Sequence, residues 1–184
     1  MFMTTAFEIA KFGNPVLRQT ARQLTVEEIS SPNINNMIEN MRKLLVEKDY
    51  GIGLSAPQIG YSLALSVIEI KPTPTLPDLE KQSMVLINPS IVETFGENKN
   101  MWEGCVSAGE GENTLCAKVP RPNNLTLRWL DANAVQHEEK FDGFIAHTIQ
   151  HEVDHLNGVL FVDRVEDTRT YTLVDEYKRF VSDE

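Results

Sequence analysis

Between Ser31 and Lys48 apolar residues return every three or four positions, at Ile34, Met37, Ile38, Met41, Leu44 and Leu45, with polar residues filling the gaps. That spacing predicts an amphipathic helix packed on a core, started by Ser31 as cap and Pro32 in the first turn. The segment Gly51 to Gly60 cannot extend it, because it is rich in glycine and contains Pro57, and it reads as a loop with exposed backbone. Leu63–Ile70 and Met84–Ile87 are strand-like runs separated by a loop carrying Pro72, Pro74 and Pro77. Further on, Leu125, Leu127 and Trp129 alternate with Thr126, Arg128 and Leu130 before a turn at Asp131-Ala132-Asn133, which predicts a hairpin. Residues 143 to 157 return to helical spacing, with Ile145, Ile149, Val153 and Leu156 as the packed stripe. The end of the chain, about 166–182, reads as a helix of mixed charge. Strands that follow one another in sequence pair antiparallel, so the expected fold class is α+β.

With 184 residues, 41% of them hydrophobic, the chain suits one domain over 1–184 with a real core. The net charge of −10 and the lack of a basic run argue against DNA or any other phosphate backbone as partner. Two cysteines, no apolar export segment and no run near 18 apolar residues point to a soluble protein of a reducing compartment, the cytoplasm, without a membrane partner or a structural disulfide.

The chemistry concentrates in His151-Glu152-Val153-Asp154-His155. On a helix, positions i and i+4 share a face, so His151 and His155 can hold one divalent metal with Glu152 beside it as general base. The residues beyond His155 exclude some metallopeptidases: Gly158 stands where a third-histidine motif needs glycine, but Phe161 occupies the place of that histidine. Neither Glu166 nor Glu176 is a persuasive alternative ligand. His147 lies two turns before His155, roughly 12 Å along an unbroken helix axis, too far to share an ion with it. His137 reads as a solvated hairpin residue. Cys105 is the remaining soft donor, set in Trp102-Glu103-Gly104-Cys105-Val106-Ser107, where Glu103 can hydrogen-bond a neighbour; a lone cysteine is otherwise most often a small buried hydrophobe.

Three ordered segments, Gly51-Ile52-Gly53-Leu54-Ser55-Ala56-Pro57-Gln58, Glu103-Gly104-Cys105-Val106-Ser107 and Gln150-His151-Glu152-Val153-Asp154-His155-Leu156-Asn157-Gly158, resemble the motifs of the peptide deformylases. Gly13-Asn14-Pro15-Val16-Leu17-Arg18 and Leu86-Ile87-Asn88-Pro89 extend the resemblance over about residues 8 to 165. It implies antiparallel β-sheets around a central metal-binding helix, with an N-terminal amphipathic helix and a C-terminal helix. It also implies Cys105, His151 and His155 as ligands of one divalent ion, Fe(II) in the native enzyme, with Zn(II), Ni(II) or Co(II) able to take the same site.

The activity so implied is removal of the formyl group from the formyl-methionine of nascent polypeptides, met in the cytoplasm with at most transient contact to the ribosome. Glu152 would move the proton, while the Gln58 amide and the Val106 backbone N–H would stabilise the oxyanion. Gly53 would pair with the substrate backbone as with an added strand, and Ile52, Met101, Phe144, His147 and Thr148 would line the methionine pocket. Asp154 faces away from the histidine pair and reads as a structural hydrogen-bonding group. An H-E-x-x-H peptidase and a non-catalytic binder of N-termini are the rival readings. The peptidase has no evident third ligand without Cys105, and a binder has no need of Glu152. The chain departs from the family pattern at Val106, at Ala108-Gly109 and in a polar insertion over Glu110 to Cys116, and its acidic end offers no basic ribosome anchor.

Overall fold

The computed structural model describes residues 7–47, 52–72 and 79–180. A one-turn helix α1 (Val26–Ile29) and helix α2 (Pro32–Glu47) precede strands β1 (Gly53–Ser55), β2 (Leu65–Ile70), β3 (Gln82–Gly104), β4 (Leu115–Leu130) and β5 (Gln136–Asp142). Helix α3 (Gly143–Leu156), the two-residue strand β6 (Thr172–Leu173) and helix α4 (Val174–Phe180) complete the chain. The strands pair antiparallel in the order β1-β2-β3-β4-β5, with β6 added to β4.

β2 shows how the two long helices come to flank this sheet. Its side chains alternate between faces. Leu65 and Val67 join the cluster that holds Ile34, Met37, Ile38, Met41 and Leu45 of α2, whereas Ile68 and Ile70 join Ala146, Ile149 and Val153 of α3. With both faces covered, the strand is apolar almost throughout, and Ser66, on the α3 face, is a buried exception. α2 begins at Pro32 as its sequence predicts, with Ser31 Oγ accepting from the Ile34 N–H at 3.4 Å; Lys48, its expected end, lies outside the described residues.

Several expectations are corrected. The supposed loop after α2 contains β1 and a 3₁₀ turn at Ala56–Ile59, so Gly53 belongs to a strand; Gly51, Pro74 and Pro77 lie outside the described residues. β3 and β4 run far beyond their apolar segments: the outer arm of β3 is held by the backbone ladder and leaves most of its side chains to water, while that of β4 lies mostly buried or half-buried against it. The ladder shifts register between Ile87 and Ser90, where Asn88 takes φ 50° and Pro89 has no N–H to give. Asn88 there clamps Leu24, accepting from its N–H and donating to its carbonyl.

Among the described residues the terminal helix begins at Val174, not at 166, and runs to Phe180; residues 168–170 form a 3₁₀ turn capped by Asp167, and Thr172–Leu173 pair with β4. The β-branched and aromatic run Thr170-Tyr171-Thr172 suits a strand better than a helix. Residues 181 and 182 lie outside the described residues. His137 is not simply solvated: it stacks on Trp129 and lies 3.1 Å from Asp131.

Candidate active site

The site forms where α3 passes under β1 and the end of β3. Most of α3 is buried, and at its middle His151 and His155 lie edge to face with ring centroids 4.9 Å apart. Cys105 follows β3 directly, and its Sγ is 3.3 Å from His155 Nε2. One donor atom from each of Cys105, His151 and His155 falls within 4.8 Å of the others. A tetrahedral ion with donors at roughly 2.0–2.3 Å requires edges of about 3.5 Å, so this set fits a metal.

Electrostatics support the fit. Burial pushes the Cys105 thiol up, but His155 and His151 outweigh it and hold the thiol well below its ordinary 9.0. Burial likewise lowers His151, and hydrogen bonding and charge from Cys105 and Glu103 raise it well above 6.5. The negative neighbours that favour a proton on His151 would also attract a metal cation, which must displace that proton to bind. Cys116 makes the contrast: with burial alone acting, its thiol is pushed up to about 11, and it remains an inert packing group.

His151 is aimed by Glu103, whose Oε2 lies 2.7 Å from Nδ1 and leaves Nε2 for an ion. Glu103 is buried rather than at the surface, and takes two bonds from Arg121, at 2.5 and 3.1 Å. Arg121 also donates to Asp154 at 2.8 Å, and Arg164 completes Asp154 from outside. Burial opposes ionisation of Glu103, yet the His147 imidazole beside it and hydrogen bonds from His151 and Arg121 hold its carboxyl far below the ordinary 4.5. Asp154 thus has the structural role its place on the helix suggested. Arg121 was not foreseen: it lies between Pro120 and Pro122 in no motif, and the only sequence signal was a pair of carboxylates needing a buried cation. Among the described residues His155 Nδ1 is buried with no hydrogen-bond partner, while Nε2 faces Cys105.

Glu152 is buried and its carboxyl is raised above 4.5, chiefly by burial. Oε2 accepts from Ser55 Oγ at 2.5 Å, and Ser55 Oγ is 2.7 Å from Ser66 Oγ. Oε1 lies against Gly53, where an added Cβ would come within 2.2 Å of it. Gln58 is fixed by the Ser55 N–H, which donates to Oε1 of its amide at 2.8 Å; its Nε2 is 3.3 Å from both Cys105 Sγ and Ser107 Oγ. Val106 opens a 3₁₀ turn closed by the Ala108 N–H on the Cys105 carbonyl, with Lys11 Nζ donating to the Val106 and Gly109 carbonyls.

The structure therefore gathers Gly53, Gln58, Cys105, His151, Glu152 and His155. Of the residues expected to line a methionine pocket, Ile52, Met101 and Phe144 are half-buried, and His147 and Thr148 are buried. His147 Nε2 lies 2.6 Å from Glu103 Oε1, although no ring N–H is aimed along that line, and Thr148 Oγ1 donates to the Phe144 carbonyl. Phe144 packs against the β2–α3 layer and lines a crevice of about 290 Å³ with Ile70, Leu79 and Ile145.

Comparison with known proteins agrees with this geometry. The model of the polypeptide deformylase family matches residues 6–171. A peptide deformylase of Leptospira biflexa is 36% identical over 168 residues, covering 89% of this chain and 90% of that protein, and one of Chlorobium phaeovibrioides is 40% identical over 163 residues, covering 86% and 77%. Among solved structures, the class I type b peptide deformylase of Acinetobacter baumannii with Met-Ala-Ser bound superposes with a TM-score of 0.81 at 31% identity, covering 89% of this chain and all of that one. The peptide deformylase of Thermotoga maritima gives 0.76 at 31% identity, covering 89% and 99%. By its site, its fold and these relatives, the chain belongs to the polypeptide deformylase family.

Proposed function

We propose that Cys105, His151 and His155 hold one divalent ion and that Glu152 is the proton carrier in the hydrolysis of a formyl amide. Family membership gives the reaction, removal of the N-formyl group from nascent peptides with release of formate. A divalent ion in the site supplies Lewis acidity, polarising a carbonyl and bringing the pKa of water toward neutrality. The observation that carries the assignment is the placement of Glu152, buried between the histidines in sequence, with one oxygen held by Ser55 and the other beside the edge strand β1. Its raised pKa suits a group that takes a proton from attacking water and returns it to the leaving nitrogen. Gln58 Nε2 and the Val106 N–H are the donors for the oxyanion.

Among the described residues β1 pairs only with β2, which leaves its other edge for a peptide backbone adding as a strand. Ile52, Met101, Phe144, His147 and Thr148 would surround the methionine side chain of such a peptide. The Met-Ala-Ser held by the Acinetobacter baumannii enzyme is the peptide that deformylation of formyl-Met-Ala-Ser leaves, which supports this substrate class. We assign Fe(II) as the native ion, as the resemblance to the family implies, with Zn(II), Ni(II) and Co(II), which the same thiolate and imidazoles suit, as substitutes. Among the described residues no helix is long and apolar enough to cross a membrane. The reading places the reaction in the cytoplasm, on chains leaving the ribosome.

The test is formate release from formyl-Met-Ala-Ser by protein purified without air. Glu152→Gln should lower kcat by about 10²–10⁴-fold at unchanged metal content, the range of a lost acid–base group. A variant that turns over at the parent rate would overturn the assignment. The Fe(II) form should lose activity in air faster than the Ni(II) form, and equal lifetimes would count against iron.

A further inference from the structure

We propose that Ser55 and Ser66 form a two-hydroxyl relay that positions the carboxylate of Glu152, so that one of its oxygens is immobilised and the other is reserved for the reacting proton. The proposal rests on Glu152 being the proton carrier.

The sheet dictates the arrangement. In β1, period two sends Gly53 and Ser55 to one face and Leu54 to the other; Leu54 lies in the α2 cluster, so Gly53 and Ser55 face α3. Ser66 is the register partner of Ser55 on β2 and shares that face. Both serines are fully buried, beneath a helix that offers Glu152 to them. A carboxylate only accepts hydrogen bonds, so the 2.5 Å contact requires Ser55 Oγ to donate to Oε2. Having used its one proton, Ser55 accepts across the 2.7 Å contact, and Ser66 is the donor. The Glu152 carbonyl, 3.2 Å from Ser55 Oγ, is a second and longer acceptor. Such a chain polarises along its length and is firmer than an isolated bond.

The two oxygens of Glu152 are thereby made unequal. Oε2 is held from behind by a buried donor, while Oε1 lies next to the Gly53 α-carbon at the open edge strand. Ser55 also holds Gln58 through its backbone N–H, at 2.8 Å. A change confined to the hydroxyl therefore leaves the oxyanion donor in place and releases only the base.

Ser55→Ala should lower kcat for formyl-Met-Ala-Ser by about ten- to a hundredfold, the cost of a small misplacement of a reacting group, with KM changed less than threefold. Metal content should match the parent, and the solvent deuterium isotope effect on kcat should rise as proton transfer becomes limiting. Ser66→Ala should give a smaller loss of the same kind, and Ser55→Ala/Ser66→Ala should be no slower than Ser55→Ala, since a relay cut at its first link has nothing further to lose. Parent kcat in Ser55→Ala beside an inactive Glu152→Gln would overturn the relay while leaving the base assignment standing. An active Glu152→Gln would overturn the base assignment and the relay with it. Loss of activity in proportion to loss of metal, or multiplicative losses in the double variant, would also overturn the relay.

Discussion

At Gly53 the lack of a side chain decides where the proton carrier can sit. A Cβ on that strand would come 2.2 Å from Glu152 Oε1 and 2.7 Å from its Cδ, well inside contact distance. The carboxylate could yield only by leaving Ser55, because α3 is packed beneath it. Gly53→Ala is therefore expected to lower kcat by about a hundredfold while the protein keeps its metal, since a displacement near 1 Å at a reacting group costs about that much. Steady-state kinetics with parallel metal analysis checks this, and undiminished turnover would show that Oε1 does not need its present place. Cys105 presents the complementary case. It shares burial with Cys116, and only the neighbouring histidines separate a thiolate able to ligate from a thiol that packs.

The elements differ in how much of them the sequence discloses. α2 and α3 could be read directly, because each buries a face whose residues repeat at the helical period, and the same period brings His151, Glu152 and His155 into one stretch of text. The outer arm of β3 could not, since residues such as Asn98, Lys99 and Asn100 face water and the ladder to β4 holds them extended. For the same reason the motifs gave the candidate ligands but not their supports. Ser66 and Arg121 reach Ser55 and Glu103 across the sheet, relations that no short segment contains, whereas Asp154 stood in the motif but its partner Arg121 did not. Arg121 carries the consequence. Its guanidinium is buried between Glu103 and Asp154, so Arg121→Met would leave two buried carboxylates without their cation, and Arg164 reaches only Asp154. Breaking a buried pair in this way costs about 3–5 kcal/mol. Denaturant unfolding should show a loss of that order, together with weaker metal retention as Glu103 loses its hold on His151; a variant as stable as the parent would show that the network is dispensable.

At the scale of the whole molecule, the segments before α1 and after α3 are fastened to each other at the C-terminal end of α3. The Ala21 N–H donates to the Leu156 carbonyl. Gly158, at φ 72°, sits so close to the Arg18 backbone that a Cβ would come 2.7 Å from its carbonyl carbon. Across this joint Asp163 accepts from the Arg18 guanidinium through both oxygens and from the Leu160 N–H at 2.8 Å. The Arg18 bond is the main reason its carboxyl lies below the ordinary 3.8; burial opposes it, and the Leu160 N–H adds to the lowering. A depressed carboxyl stabilises the folded state at pH above its unfolded value and loses that contribution as pH falls from there through the folded value. Asp163→Asn should accordingly be less stable than the parent at pH 7, by no more than about 1 kcal/mol, because the pair is partly exposed and screened. The difference should shrink once pH drops below 3.8, where the parent begins to protonate the same group. Unfolding of both proteins across pH 3 to 7 tests this, and a gap unchanged at pH 3 would mean that Asp163 acts through its shape and not its charge.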